Sequence, residues 1–220
     1  MIRIRCFEIY DEPFLPHFLA LAAHEEDVEV VLANPALALY IEGWGRSGDC
    51  AVVAEDEETR VLVGMAWARL WTDAQHGFGW MDELTPELAV AVEPGFQDQG
   101  IGTRLLEALK CRLRAVAVAV RWNAREQEWV PASHAVEVEQ PEMQMAPQRV
   151  ALNVRDGSPA VRLYERAGFT KVEGSERRNR TGGTSFNMIA PLRGGDWRWG
   201  HVDRSIHTNP LGAPDNFVSV

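Results

Sequence analysis

The sequence has few cysteines, few basic residues and no long apolar run, and each shortage argues against a class of protein. Its three cysteines among 220 residues are scattered, and no two of them form a C-x-x-C pair. A disulfide-stapled secreted domain or a cysteine-based zinc site therefore does not fit the sequence. Buried free thiols are expected at Cys6, Cys50 and Cys111. No stretch approaches the ~18 apolar residues of a membrane-spanning helix, so no membrane partner is expected.

Basic residues are outnumbered, since Lys and Arg total 22 against 32 Asp and Glu, which gives a net charge of −10. A surface of this sign repels the phosphate backbone, so no nucleic-acid partner is expected, whereas a cationic partner such as an amine is favoured. The N-terminus alternates charged and apolar residues and lacks the continuous apolar core of a signal peptide, which predicts a cytoplasmic protein. The six histidines show no metal-ligand spacing, so no metal is expected.

Hydrophobic periodicity predicts a mixed α/β domain over residues 1–192, followed by a tail over residues 193–220. Short β-branched runs lie before and after an amphipathic helix that begins at Ile101. Residues 121–148 break this pattern with two tryptophans and three prolines, and are expected to form an inserted loop or hairpin. The basic run at 177–180 is flanked by glutamates and predicts a solvated turn between two strands.

A glycine-containing turn between a predicted strand and this helix predicts an anion site. Residues 90–103 read V-A-V-E-P-G-F-Q-D-Q-G-I-G-T. Gly100 and Gly102 allow the backbone to approach a ligand closely, and the free N–H groups and dipole of the helix start attract phosphate. A phosphate or pyrophosphate ligand is therefore expected, the alternative being an ordinary glycine-bearing helix start. The G-x-G-x-x-G letters at 43–48 are interpreted as a loop, because they follow a helical stretch and precede a strand.

Two motifs resemble a known family. Gln97-x-x-Gly100-x-Gly102 is similar to the acyl-coenzyme-A-binding motif of the GNAT superfamily of N-acetyltransferases, and L-N-V-R-D-G-S-P-A-V-R-L-Y-E-R-A-G-F at 152–169 is similar to its strand, short helix and ending. Residues 43–71 resemble a bacterial branch of the same family. The resemblance implies an α/β (α+β) fold with a mixed, mostly antiparallel central sheet, splayed middle strands and flanking helices. The insertion at 121–148 departs from the family's usual short connection.

The resemblance also implies a function, namely transfer of an acetyl group from acetyl-CoA to a primary amine of a small molecule or peptide by direct attack. The alternative is a non-catalytic acyl-CoA-binding module that engages a protein partner. The expected cofactor contacts come from the strand edge, the glycine turn and the start of the second helix, where Ser158 replaces the family's frequent asparagine. They are Val90, Val92, Gln97, Asp98, Gln99, Gly100, Ile101, Gly102, Thr103 and Ser158.

The resemblance assigns proton-transfer roles as well. Tyr164 matches the family tyrosine that protonates the departing thiolate, a role that suits a phenol with a pKa of about 10. Glu87 lies near the position where many members place a basic glutamate, and Asp82 and Glu83 are alternatives for this base. These two carboxylates, with Trp44 and Trp80 from glycine-rich loops, are the expected acceptor-binding residues.

Five large aromatic residues of the insertion and tail lie outside any periodic element. They are Trp122, Trp129, Trp197, Trp199 and Phe217. Exposed aromatic side chains would form an apolar surface that tends to bind other surfaces. At least one of these segments is therefore expected to pack on the acceptor side of the domain or on a second subunit, as in a homodimer.

Overall fold

The computed structural model of the chain describes residues 1–116, 118–123, 128–131 and 143–192. The tail and most of the insertion fall outside these ranges. The domain boundary at residue 192 and the expected homodimer therefore stay predictions.

The described residues form short strands and five α-helices. The strands are β1 (Ile2–Cys6), β2 (Cys50–Asp56), β3 (Leu62–Arg69), β4 (Glu87–Val92), β5 (Val118–Asn123), β6 (Glu128–Pro131), β7 (Met143–Met145), β8 (Arg149–Arg155), β9 (Thr170–Lys171), β10 (Arg177–Arg178) and β11 (Thr184–Pro191). The helices are α1 (Leu15–Ala23), α2 (Val28–Ala33), α3 (Pro35–Ala38), α4 (Ile101–Ala115) and α5 (Ala160–Arg166), with 3₁₀ turns at Ile9–Phe14 and Pro94–Phe96.

The main sheet has the strand order β1-β2-β3-β4-β8-β11-β10, with β9 pairing with β11. Its described pairings are antiparallel except for β4 with β8, which run parallel and are in register at the single pair Glu87 and Ala151. Beyond that pair the two middle strands diverge and leave a gap in the sheet. The expected mixed, mostly antiparallel sheet with splayed middle strands is therefore confirmed.

Helices cover both faces of the sheet because the strands alternate their side chains with period two. On one face, Met65 and Trp67 of β3 pack with α1, α2 and α3 around the buried Phe18. On the other face, Ala66 and Ala68 of the same strand pack against α4. The apolar positions of α4 recur at helical spacing and are buried, namely Leu105, Leu109 and Leu113. The gap between β4 and β8 thus lies between two helical layers.

The inserted region is more regular than an irregular loop. Its described parts form a separate three-stranded sheet with the order β6-β5-β7, in which β5 and β6 make an antiparallel pair. The sheet begins at Val118, three residues earlier than the expected insertion, because α4 ends at Ala115.

The three cysteines differ in burial. Cys50 is buried, Cys6 is half-buried and Cys111 is exposed on α4, so the expectation of buried thiols is wrong for Cys111. Within the ranges that the structure describes, no helix is long and apolar enough to cross a membrane. The same residues contain no group of three or more His, Cys, Asp or Glu side chains arranged to hold a metal ion.

Candidate active site

A cavity of about 400 Å³ lies where β4 and β8 separate. Its walls come from the end of α1, from Leu88–Val90 of β4, from the last residues of β8, from α5 and from the turn after β10. It therefore connects the two helical layers through the gap in the sheet. Glu87 and Tyr164, the two predicted proton-transfer residues, both line it.

Glu87 stands at the point where pairing between β4 and β8 stops, and it is 2% exposed. Its Oε1 accepts hydrogen bonds from the Tyr40 hydroxyl at 2.5 Å and from the Gly79 N–H at 2.7 Å. Its Oε2 accepts from the Trp71 indole N–H at 2.9 Å. Three residues from distant parts of the chain thus fix the carboxyl group within the cavity wall.

Burial raises the pKa of Glu87 from its ordinary 4.5 to about 7, although the three donors favour the charged form. A carboxyl group with a pKa near neutrality exists in both protonation states at physiological pH. It can therefore accept a proton and release it again, as a general base requires.

Tyr164 is fixed by the way α5 ends. Gly168 has a φ of +84°, and the N–H groups of Gly168 and Phe169 donate to the carbonyls of Glu165 and Tyr164 in a Schellman motif. This turn places the Phe169 ring edge-on to Tyr164, with centroids 5.9 Å apart. Burial raises the pKa of Tyr164 to about 12, so the phenol stays protonated at neutral pH and can donate.

The glycine turn before α4 forms the predicted open helix N-terminus. Gly100 is the residue just before the helix, its φ is +76°, and a Cβ placed on it would meet no atom within 4 Å. Gln97 and Gln99 fold back on the turn, since their side-chain amides donate to the carbonyls of Val92 and Gly95. Helix geometry leaves the first N–H groups, including those of Ile101, Gly102 and Thr103, without intrahelical partners. Asp98 is exposed beside them and has a φ of +59°.

The edge of β4 that faces the gap carries unpaired backbone groups. The Pro86 carbonyl accepts from Ala151 of β8, whereas the Glu93 N–H donates to Val63 in the other direction. Backbone groups alternate along a strand, so Val90 and Val92 point their N–H groups toward the gap. Ser158 lines the same cavity, and its hydroxyl accepts from the Ala160 N–H, the first residue of α5, at 3.2 Å.

The structure does not bring the four expected acceptor-binding residues to the cavity wall. Asp82 accepts from Leu84 and Thr85 within its own turn and pairs with Arg149. Glu83 accepts from the Asp73 N–H at 3.1 Å.

The two tryptophans also serve the packing of the domain. Trp44 packs edge-on against Phe7, with centroids 5.6 Å apart, and beneath the Arg69 guanidinium. Trp80 stacks on His76, which does reach the cavity, at 4.7 Å. Both tryptophans and both carboxylates thus have structural contacts that account for their positions.

Several cavity residues are not predicted from the sequence. Tyr40 comes from the turn after α3, Asn153 and Arg155 from β8, and Arg177 and Arg178 from β10. The basic run at 177–180 is only partly the turn that the sequence predicts, because Arg177 and Arg178 form β10. All four residues of the run line the cavity. The sequence signal for these cavity residues is a run of four basic or amide residues. The flanking Glu176 favours the interpretation of this run as a solvated turn. Glu176 in fact pairs with Lys171 at 2.6 Å.

Comparison with known proteins gives the same fold. The GNAT acetyltransferase domain family matches residues 47–171, more than half of the chain. No curated protein matches it. Among solved structures, a GNAT superfamily phosphinothricin acetyltransferase of Sinorhizobium meliloti in complex with acetyl-CoA has a TM-score of 0.55 and 17% identity, covering 87% of this chain and 88% of that one.

Two further structures are similar in their fold. A ribosomal-protein-alanine N-acetyltransferase of Brucella melitensis has a TM-score of 0.53 and 20% identity, covering 86% of this chain and 99% of that one. The ribosomal-protein-S18-alanine N-acetyltransferase of Escherichia coli has a TM-score of 0.51 and 18% identity, covering 91% and 100%. Since the family match spans most of the central sheet, its splayed strands and α4, the chain belongs to the GNAT acetyltransferase family.

Proposed function

We propose that the protein is an N-acetyltransferase that moves an acetyl group from acetyl-CoA to a primary amine of a small molecule or peptide. The observation that carries this proposal is one cavity, at the gap in the sheet, that is lined both by a carboxyl group with a pKa near 7 and by a protonated phenol. A base and an acid in one cavity are the two proton-transfer groups that amide formation from a thioester needs.

The described residues fit acetyl-CoA. The open turn at Gly100 and the free N–H groups of residues 99–103 would hold the pyrophosphate, because no side chain fills the space beside Gly100. The gap-facing N–H groups of Val90 and Val92 would hold the pantetheine and the acetyl carbonyl, with Ser158 alongside. Acetyl-CoA supplies the activated acetyl group. A backbone donor aimed at a developing negative charge is worth about 2.7–4 kcal/mol.

Two residues would move the protons. The Glu87 carboxylate would take the proton that the amine loses as its nitrogen bonds to the acetyl carbon, and the donors from Tyr40, Trp71 and Gly79 would hold that carboxylate in place. The Tyr164 hydroxyl would give its proton to the departing sulfur. Burial excludes water from Glu87, which strengthens the electrostatic interactions of its carboxylate.

The same cavity supports this proposal over the alternative of a non-catalytic acyl-CoA-binding module. A binding module tolerates a blocked acceptor side, whereas this cavity continues from Tyr164 past β4 to Leu19 and Ala22 of α1. The test is incubation with acetyl-CoA and a panel of primary amines while thiol release is followed. Release that depends on the amine supports the transferase. Binding of acetyl-CoA by calorimetry without release on any amine would leave the binding module as the function.

A further inference from the structure

The cavity has an uneven charge distribution that its acceptor must match. The only carboxyl group among its described lining residues is Glu87, whereas four arginines line the opposite end, namely Arg155, Arg177, Arg178 and Arg180. This concentration of positive charge occurs in a chain whose net charge is −10. The overall charge favours a cationic partner, but the local charge at this end of the cavity favours an anion.

Three of these arginines lack a carboxylate partner. Arg180 pairs with Glu25, and both Arg180 and Arg155 donate to the Ala23 carbonyl at 2.9 Å, at the end of α1. Within the described part of the chain, Arg155, Arg177 and Arg178 have no acidic side chain within ion-pair distance. Like charges grouped without counter-charges repel one another, so a bound anion would relieve this repulsion.

Strand register places two of the arginines in one row. Arg155 of β8 is opposite Ser185 of β11, and Ser185 is opposite Arg177 of β10. Directly opposed residues point to the same face of a sheet, and neighbouring strands are about 4.8 Å apart. The row therefore presents a guanidinium, a hydroxyl and a second guanidinium to the cavity, with roughly 10 Å between the outer backbone positions. Guanidinium groups bind carboxylates and phosphates in bidentate fashion.

The row lies on the acceptor side of the gap. Both Arg155 and Arg180 contact the end of α1, which belongs to the helical layer opposite α4 and its open N-terminus. Burial and the charges of Arg155 and Arg180 lower the pKa of His24, the residue just after α1, which favours its neutral imidazole. Along β8, Arg155 is four residues beyond the position opposite Glu87, a distance of about 13 Å.

We propose that the acceptor is an amine that also carries an anionic group, such as the carboxylate of an amino acid or short peptide. Its amine would lie at Glu87, and its anion at the Arg155–Ser185–Arg177 row. The inference rests on the proposed function, because it assigns the acceptor of the same site. It excludes polyamines and other purely cationic amines as preferred acceptors.

The experiment uses amino acids and dipeptides of different side-chain classes, each paired with its C-terminal amide, with spermidine as a purely cationic amine. Thiol release is measured with the parent protein, Arg177→Ala and the control Arg3→Ala. Arg3 is exposed on β1, the edge strand at the other end of the sheet. For acceptors that react, we expect kcat/KM at least tenfold higher for the carboxylate than for its amide. We expect this ratio to fall at least fivefold in Arg177→Ala and to be unchanged in Arg3→Ala.

The outcomes separate the inference from the proposed function. Equal or better use of the amides or spermidine overturns the inference and leaves the transferase standing. If no amine releases thiol, the proposed function fails, and calorimetry with N-acetyl amino acids and their amides then decides the anion site alone. Binding that needs the carboxylate and is lost in Arg177→Ala supports the site, and binding without that dependence overturns it.

Discussion

The substitution Glu87→Gln tests the proposed base of the candidate site, whose pKa burial raises to about 7. Glutamine keeps the size of the side chain and an oxygen that can accept from Tyr40 and Gly79, but it cannot bind a proton in the relevant pH range. The pKa of Glu87 is about 7 in the folded protein, against 4.5 ordinarily. A pKa difference of one is worth about 1.4 kcal/mol, so titration of this carboxyl changes the free energy of unfolding by roughly 3 kcal/mol.

The sign of this change follows from proton binding. Because the folded state binds the proton more tightly than the unfolded chain, the stabilisation is fully present below pH 4.5. It is lost as the pH rises from 4.5 through about 7. In Glu87→Gln this loss is absent. The variant carries a constant cost as well, since its carboxamide N–H groups face the Trp71 N–H, another donor. The difference in unfolding free energy between parent and variant should therefore shift by about 3 kcal/mol from pH 4.5 to pH 7.5.

Urea unfolding across this pH range measures the effect, with Glu57→Gln as a control. Glu57 is an exposed carboxylate at the turn after β2, so its variant should track the parent at every pH. The kcat/KM of the parent should rise with pH toward a plateau above about 7, and Glu87→Gln should lower it by about 10²–10⁴-fold and remove the rise. A variant with parental kcat/KM and the same pH profile would refute Glu87 as the base.

Three further outcomes are expected. Tyr164→Phe should keep coenzyme-A affinity but lower kcat by about 10²–10⁴-fold, as titration calorimetry and turnover will show; an unchanged kcat means that another group supplies the proton. Gly100→Glu should abolish coenzyme-A binding in calorimetry, because its carboxylate would repel the anion, whereas Gly174→Glu, with the same positive φ and open space, should bind normally. Asp49→Asn should lower the free energy of unfolding in urea by about 3–5 kcal/mol, because it leaves the buried Arg69 guanidinium without its carboxylate; a smaller loss than about 1 kcal/mol contradicts this.

The parts of the fold that the sequence predicts are those with local causes. The α4 face follows from the spacing of Leu105, Leu109 and Leu113, and the end of α5 follows from one glycine at Gly168. The turn at Gly100 is similarly predictable, because its positive φ and its position before a helix require glycine. These motifs also carry the family resemblance, so fold and cofactor class follow from the sequence together.

The acceptor side has distant causes, and the sequence does not reveal it. Arg177 faces Arg155 across β11 only because three strands align in register, and nothing in the basic run itself indicates that alignment. Trp44 and Asp82 show the converse, because the structure places these two expected acceptor-binding residues away from the cavity wall. A tryptophan or a carboxylate in a glycine-rich loop is a residue type that is typical of ligand pockets. In the folded chain, however, Trp44 packs against Arg69 and Asp82 pairs with Arg149.

The glycines of the 77–79 loop are required by tertiary contacts, and the sequence alone does not reveal those contacts. A Cβ on Gly77 would lie 2.4 Å from Glu87 Oε2 and 2.5 Å from the Tyr40 hydroxyl. A Cβ on Gly79 would lie 2.8 Å from both Glu87 Oε1 and the Asn153 nitrogen of β8. Neither glycine has a positive φ, so the backbone does not need glycine there. They are required because the loop packs directly on the carboxyl group and on β8 where the strands separate. The two glycines, which in the sequence only mark a loop, therefore form part of the wall that keeps Glu87 buried, and that burial raises its pKa.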